Sequence, residues 1–355
     1  MPERTKTDRR DCEWIQRLHS CGLLPGAFRP PEQICRLRTL VREKGNLVAE
    51  QGDWVRRMQK SLEQMNVRVH RAVADLTGAT GMALVRAIVR GEREVRPLAK
   101  LRDPRCHKSE EEIAEQLTGP WREDHLFSLG QALKMYEAIQ ERIQDYERAI
   151  LDKLKEMERD DGQGKEPPEL KNKEKAQAIR KRGEEPLRQA LYRVSGEDLT
   201  SIDAIGVETV QAVVSEYGPD LSRFPKEKQF VSHVRLAPDR PTSGGKPVKE
   251  RKRRYSASSR VAAALRLAAL SLRYSQTALG AYYRQMARHQ GADVAVFATA
   301  TKLAILIYRM LRWGQNYVDE GAQAYEKRYR EARLRRLTST ARDLGYQLTP
   351  LTAQA

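Results

Sequence analysis

The sequence predicts a mainly α protein made of long helices and a compact helical domain. Three observations carry this. Apolar residues recur at 3–4 spacing over long windows, strictly alternating strand patterns are scarce, and aromatics make up only 6% of the 355 residues. That length suggests two or three domains. The chain holds 65 Lys and Arg against 48 Asp and Glu, a net charge of +17. Such an excess favours a polyanionic partner through counterion release, with nucleic acid first and an anionic membrane surface second.

The elements follow in order. In KTDRRDCEWIQRLHSCGLLPG, Trp14, Ile15, Leu18 and Leu23 share one helical face, and Pro25 and Gly26 end it. Pro30 and Pro31 then open a long helix over about 31–66, roughly 50 Å in length. Its stripe is Ile34, Leu37, Val41, Val48, Val55, Met58, Leu62 and Met65, with Lys44 and Gln51 at two positions of the same seam. A smaller helical region follows, with a Gly-rich turn, TGATG, at 77–81. A second long helix is expected over about 123–160, striped by Leu126, Leu129, Leu133, Tyr136, Ile139, Ile143, Tyr146, Ile150, Leu154 and Met157. The two stripes predict an antiparallel, coiled-coil-like pair; dimerisation through the same stripes is the alternative.

Residues 161–186 are charged and poor in apolar side chains, the composition of a linker. The boundaries expected from these shifts are 1–30, 31–160, 161–186, a compact helical domain over 187–330, and a basic, then polar tail over 331–355. The first residues hold no apolar core of a signal peptide. The most apolar run, Val294 to Leu311, contains Lys302 and reads as a buried core helix of a soluble, cytoplasmic protein rather than a membrane span. Four cysteines, Cys12, Cys21, Cys35 and Cys106, suit neither a zinc site nor a disulfide framework. Nucleotide-binding P-loop, G-x-S-x-G and H-E-x-x-H patterns are absent from the sequence, which leaves ATPase, α/β-hydrolase and zincin readings unsupported.

Three stretches can carry chemistry. DLTSIDAIGVETVQAVVSEYG, Asp198 to Gly218, predicts two helices around a tight turn at Ala204, Ile205 and Gly206. Backbone N–H groups at Gly206 and the next helix start can hold a phosphate, although any αα-hairpin would give the same pattern. In PTSGGKPVKERKRR, Ser243 sits on a turn with Gly244 and Gly245, beside Lys246, Lys249, Arg251, Lys252, Arg253 and Arg254. A hydroxyl among cations can attack phosphorus; a solvated basic loop with an ordinary Ser-Gly-Gly turn is the other reading. Asp8 and Asp11 lie three apart on one face of a helix start. Two such carboxylates can hold Mg²⁺ if others join them, and they can also simply cap the helix.

These stretches occur in an order that resembles the IS-one-ten group of insertion-sequence transposases, including its IS-eleven-eleven branch. KTDRRDCEWIQRLHSCGLLPGAFRPP is similar to the closing acidic segment of that family's RuvC-like domain. LTSIDAIGVETVQAVVSEYGPDLSRFP is similar to its helix-hairpin-helix, VSHVRLAPDRPTSGGK to its "GLAP...SGG" serine segment, and TATKLAILIYRMLRWGQNYV to its "A-x-K-L-A" helix. The resemblance implies a DNA transposase that cleaves and exchanges strands through Ser243, with Asp8 and Asp11 as the third and fourth acids of a Mg²⁺ site. It also implies DNA as partner, possible use of a guide RNA in place of direct sequence reading, and a homo-oligomeric assembly. Only seven residues precede Asp8, so the first half of the RuvC-like domain is expected to be missing and the remnant to occupy 1–30. Asp203-Ala204 stands where the family usually has Pro-Gly, and Arg235 where it usually has Gly. A chain that binds DNA or RNA without cutting it, or a helical assembly protein, is the alternative function.

Overall fold

The computed structural model describes residues 8–24, 28–73, 75–159, 164–237, 242–243, 246–247 and 259–349, with backbone alone at 8, 242–243 and 246–247. The fold is mainly α, as the periodicity predicts. Helix α1 spans Asp8–Ser20 and α2 spans Glu32–Gln64; the short α3 (Val69–Ala72), α4 (Ala79–Val89), α5 (Val95–Ala99) and α6 (Glu110–Gln116) follow, and then α7 (Glu123–Lys155). After them come α8 (Lys173–Lys181), α9 (Glu185–Ser195), a 3₁₀ turn at Leu199–Ser201, α10 (Val207–Tyr217) and α11 (Glu227–Val234). The chain closes with α12 (Arg260–Ser271), a 3₁₀ turn at Leu272–Tyr274, α13 (Ala278–Gln290), α14 (Ala292–Trp313) and α15 (Gly321–Asp343). Among the described residues the extended structure is one antiparallel pair, β1 (Thr242–Ser243) with β2 (Lys246–Pro247).

Helices α2 and α7 pack along their lengths in antiparallel register. Lys44 Nζ lies 2.9 Å from Glu147 Oε1, and Gln51 Nε2 donates to Gln140 Oε1 at 2.6 Å. Seven residues forward on one helix match seven back on the other. The two polar seam positions read from the heptad rhythm therefore meet polar partners across the pair. A polar residue in an apolar seam fixes register because a slip would strand it.

The pair joins two cores. At one end Met58, Leu62 and Met65 of the α2 end meet Leu129 and Leu133 of α7, with Leu84, Val85 and Ile88 of α4 and Ile113 of α6. The Gly-rich turn opens α4, and a Cβ at Gly81 would lie 2.3 Å from the Leu76 carbonyl oxygen, so close backbone packing demands glycine there. At the other end Leu37, Ile150 and Leu154 join the core of α9 to α14. The charged stretch 164–186 carries α8, whose Ile179 is buried in that second core. Helix α1 stays exposed, with Trp14 at 46% and Ile15 at 56%.

Helix α14 is long and apolar enough to cross a membrane. Its Leu303, Ala304, Ile307 and Tyr308 are fully buried in the second core, and the Tyr308 hydroxyl donates to the Phe224 carbonyl. It packs as the expected core helix. All four cysteines are free.

Candidate nucleic-acid interface

The hairpin begins with Asp198, whose side chain accepts from Thr200 N–H at 3.1 Å and caps a 3₁₀ turn. The sequence predicts a full helix before the turn; the structure gives only this 3₁₀ turn. The correction has a local cause. Asp198 bonds the backbone two residues on, and such Asx bonds compete with helix propagation. Leu199, Ile202 and Ile205 are buried beneath the turn. Ala204 takes φ +65°, and Gly206 is the N-cap of α10 with φ −82° and ψ 169°. No atom lies within 4 Å of a Cβ built on Gly206. The start of α10 thus has open space over a glycine, with the first backbone N–H groups of a helix beside it.

Three side chains from elsewhere hold this hairpin. Arg188 of α9 donates to Asp198 Oδ2 at 2.6 Å, to Thr200 Oγ1 at 3.0 Å and to the Pro168 carbonyl at 2.7 Å. Lys175 of α8 donates to the carbonyls of Thr200 and Ile202, the latter at 2.8 Å. Burial pushes the Lys175 ammonium down to about 8. Tyr317, beyond α14, donates its hydroxyl to Asp203 Oδ2 at 2.8 Å. Burial raises the Asp203 carboxyl above the ordinary range, and burial with the adjacent Asp203 raises the Tyr317 phenol. None of these three was legible as a site residue. Lys175 lies in a stretch of linker composition, and no local pattern ties Arg188 or Tyr317 to the hairpin.

The serine turn springs from the end of α11. Arg235 takes φ +67° and Leu236 is buried, 1% exposed. The chain returns at Ser259, whose side chain accepts from Ala262 N–H at 3.3 Å and caps α12. Both ends meet Tyr217, the last residue of α10. Burial drives the Tyr217 phenol up to about 12, and a hydrogen bond with Ser259 and the charge of Arg235 oppose that rise. Between these ends, β1 and β2 pair Thr242 with Pro247 and Ser243 with Lys246. Gly244, Gly245, Lys249, Arg251, Lys252, Arg253 and Arg254 lie outside the described residues.

Beside the root of this loop is a cleft of about 640 Å³ lined by Arg223, Phe224, Lys228, Ser232, His233 and Arg235, among others. Sequence reasoning missed it, because its cations are spread singly over two turns and a helix. Phe224 and His233 of its lining cluster with Phe28 and Tyr217 in tilted and edge-to-face contacts, ring centroids 5.1–6.1 Å apart. Burial and the charge of Arg235 push His233 toward its neutral form.

The structure therefore places Gly206 and the root of the serine loop at opposite ends of α10. Eleven residues at ~1.5 Å each make the helix from Gly206 to Tyr217 roughly 16 Å long. Asp8 starts α1, and Asp11 lies exposed on the same helix. Among the described residues no group of three or more His, Cys, Asp or Glu could hold a metal ion.

Residues 196–284 match the transposase IS116/IS110/IS902 family. The matched segment runs from the close of α9 through the hairpin, the serine loop and α12 into α13. No curated protein matches the chain.

Proposed function

We propose that this chain is an insertion-sequence transposase of the IS116/IS110/IS902 family, a reading supported by the match over residues 196–284, and that it binds DNA along α10 and exchanges strands through Ser243. The observation that carries this is the arrangement on one rigid helix. An open glycine N-terminus at Gly206 stands at one end, and the root of a loop bearing Ser243, Lys246, Lys249, Arg251, Lys252, Arg253 and Arg254 stands at the other. Roughly 16 Å corresponds to about five nucleotides of a strand at 3.4 Å each. The hairpin would hold one phosphate while the loop addresses another on the same strand.

In the proposed step the Ser243 oxygen attacks phosphorus and a phosphoserine ester forms. One P–O bond to a sugar oxygen breaks, and the serine proton ends on that leaving hydroxyl. Attack by another strand's hydroxyl reverses the step and frees the serine. Each ester broken is replaced by one formed, so no nucleotide hydrolysis is required. The loop cations would stabilise charge developing on the phosphoryl oxygens. Asp8 and Asp11 would supply ligands to Mg²⁺ only together with further carboxylates; two on one exposed helix do not make the site. A guide RNA, a homo-oligomeric assembly and a cytoplasmic location beside the DNA it acts on belong to the same proposal.

The test is an adduct assay. The protein is incubated with labelled DNA carrying the element's ends, then denatured. A labelled band that co-migrates with protein and disappears in Ser243→Ala supports the reading. An adduct that survives Ser243→Ala rules out this nucleophile.

A further inference from the structure

A second cavity, of about 300 Å³, lies between α13, α14 and the start of α15. Leu279, Ile305 and Leu306 give it an apolar lining, and Tyr282, Tyr317 and Tyr325 give it aromatic walls. Tyr282 and Tyr325 stand edge to face, centroids 6.3 Å apart. Most polar groups at the cavity are already engaged. Tyr325 donates to Gln285 at 2.8 Å, Arg309 to Glu227 at 2.7 Å, and Arg328 pairs with Glu320. Lys302 differs. Its ammonium sits 4.0 Å from the centre of the Tyr282 ring, and among the described residues no carboxylate lies within ion-pair distance of it. Burial lowers its affinity for a proton, with the Arg328 charge adding to the effect and the Glu320 charge opposing it.

Asp319 and Glu320 also line the cavity but are engaged, by the Ala278 N–H and by Arg328; a half-buried cation over an aromatic ring then suits a ligand with a flat ring and a carbonyl oxygen. The volume is at the small end of ligand pockets, about 300–1,000 Å³, and accepts one ring system rather than a run of chain. The position narrows the source. Tyr317 lines this cavity and also donates to Asp203 of the hairpin. Helix α15, whose start lines the cavity, also carries Lys327, Arg330, Arg333, Arg335 and Arg336, all exposed.

We propose that this cavity receives a single unpaired nucleotide of a DNA strand, its base against Tyr282 and Tyr325 and an oxygen on Lys302. This rests on the reading that the chain binds DNA. An extruded or single-stranded base is what such an aromatic site can take, because every base has a stacking face. Lys302 belongs to the T-A-T-K-L-A-I run that the sequence singles out without a role.

The probe is single-stranded DNA containing 2-aminopurine, whose fluorescence falls on stacking, compared with an end-labelled duplex and with free 2-aminopurine deoxynucleotide. The full chain is expected to quench the strand. Tyr282→Ala should lose the quenching and weaken single-strand binding by roughly 5- to 150-fold, the effect of removing one base–aromatic stack. Tyr282→Phe, which keeps the ring, should behave as the parent, and Lys302→Met should weaken single-strand but not duplex binding. Normal duplex binding with no quenching, or with quenching unchanged in both Tyr282→Ala and Lys302→Met, overturns the pocket and leaves the DNA reading standing. Quenching of the free nucleotide but not the strand also overturns it. Failure to bind any DNA sinks both.

Discussion

Arg188 and Asp198 form an ion pair at 2.6 Å with side chains only 7% and 4% exposed, and this pair fixes the turn that leads into the hairpin. Asp198 simultaneously caps that turn through Thr200. One buried interaction therefore couples α9 to the backbone beneath Gly206. Arg188→Met would leave a buried carboxylate unpaired and should cost about 3–5 kcal/mol in urea unfolding. Removing both charges, as Arg188→Met with Asp198→Leu, should recover much of that loss. Equal stability of the parent and the single variant would show that the pair does not hold the turn.

Two departures from the family pattern fall on left-handed backbone. Ala204 has φ +65° and Arg235 has φ +67°, both at positions where the resembling family usually carries glycine. Both residues thus adopt a backbone conformation that glycine favours. Ala204→Gly should stabilise the protein by about 0.5–1 kcal/mol, the relief of left-handed strain less glycine's larger unfolded-state entropy. A thermal midpoint lower than the parent's would contradict the assigned backbone.

Lys175 gives the fold a pH signature. Its folded pKa of about 8 lies below the ordinary lysine value of 10.5, through burial, with Asp203 and Asp198 opposing the shift and Arg188 adding to it. Between these values the unfolded chain binds the extra proton, so the lysine's contribution to stability rises with pH from about 8 to 10.5. Measured against Lys175→Met, which cannot titrate, the parent should gain in urea stability from pH 8 to pH 10. A constant difference would mean that the ammonium is not desolvated.

The basic loop makes a salt prediction. Neutralising Arg251, Lys252, Arg253 and Arg254 together should weaken DNA binding on all sequences. It should also flatten the slope of log K against log salt by up to about 0.9 for each phosphate no longer neutralised. An unchanged slope in fluorescence anisotropy would place the DNA elsewhere.

Local patterns were legible where local physics sets the outcome. The 3–4 spacing placed α2 and α7 within a few residues of their observed ends, and even the polar positions Lys44 and Gln51 could be assigned to the seam. The hairpin was visible as a glycine-bearing turn. The 3₁₀ turn before the hairpin was not, because the bond from Asp198 to Thr200 competes with a helix only once Arg188 fixes the carboxylate. The cleft of Arg223, Lys228 and Arg235 and the cavity at Lys302 were not legible either, since each gathers residues from separate elements.

The sequence by itself determined the helical class, the length of the long helices, and the basic character that points to a polyanion. These follow from side-chain period and charge, which are properties of neighbours along the chain. Only the tertiary structure decided that α8 joins the second core despite its charged surroundings, that the hairpin opens α10 while the serine loop runs from α11 to α12, and that Tyr317 ties a distant cavity to Asp203. Those relationships depend on which buried polar groups find partners across long sequence separations, and no periodicity encodes such a choice.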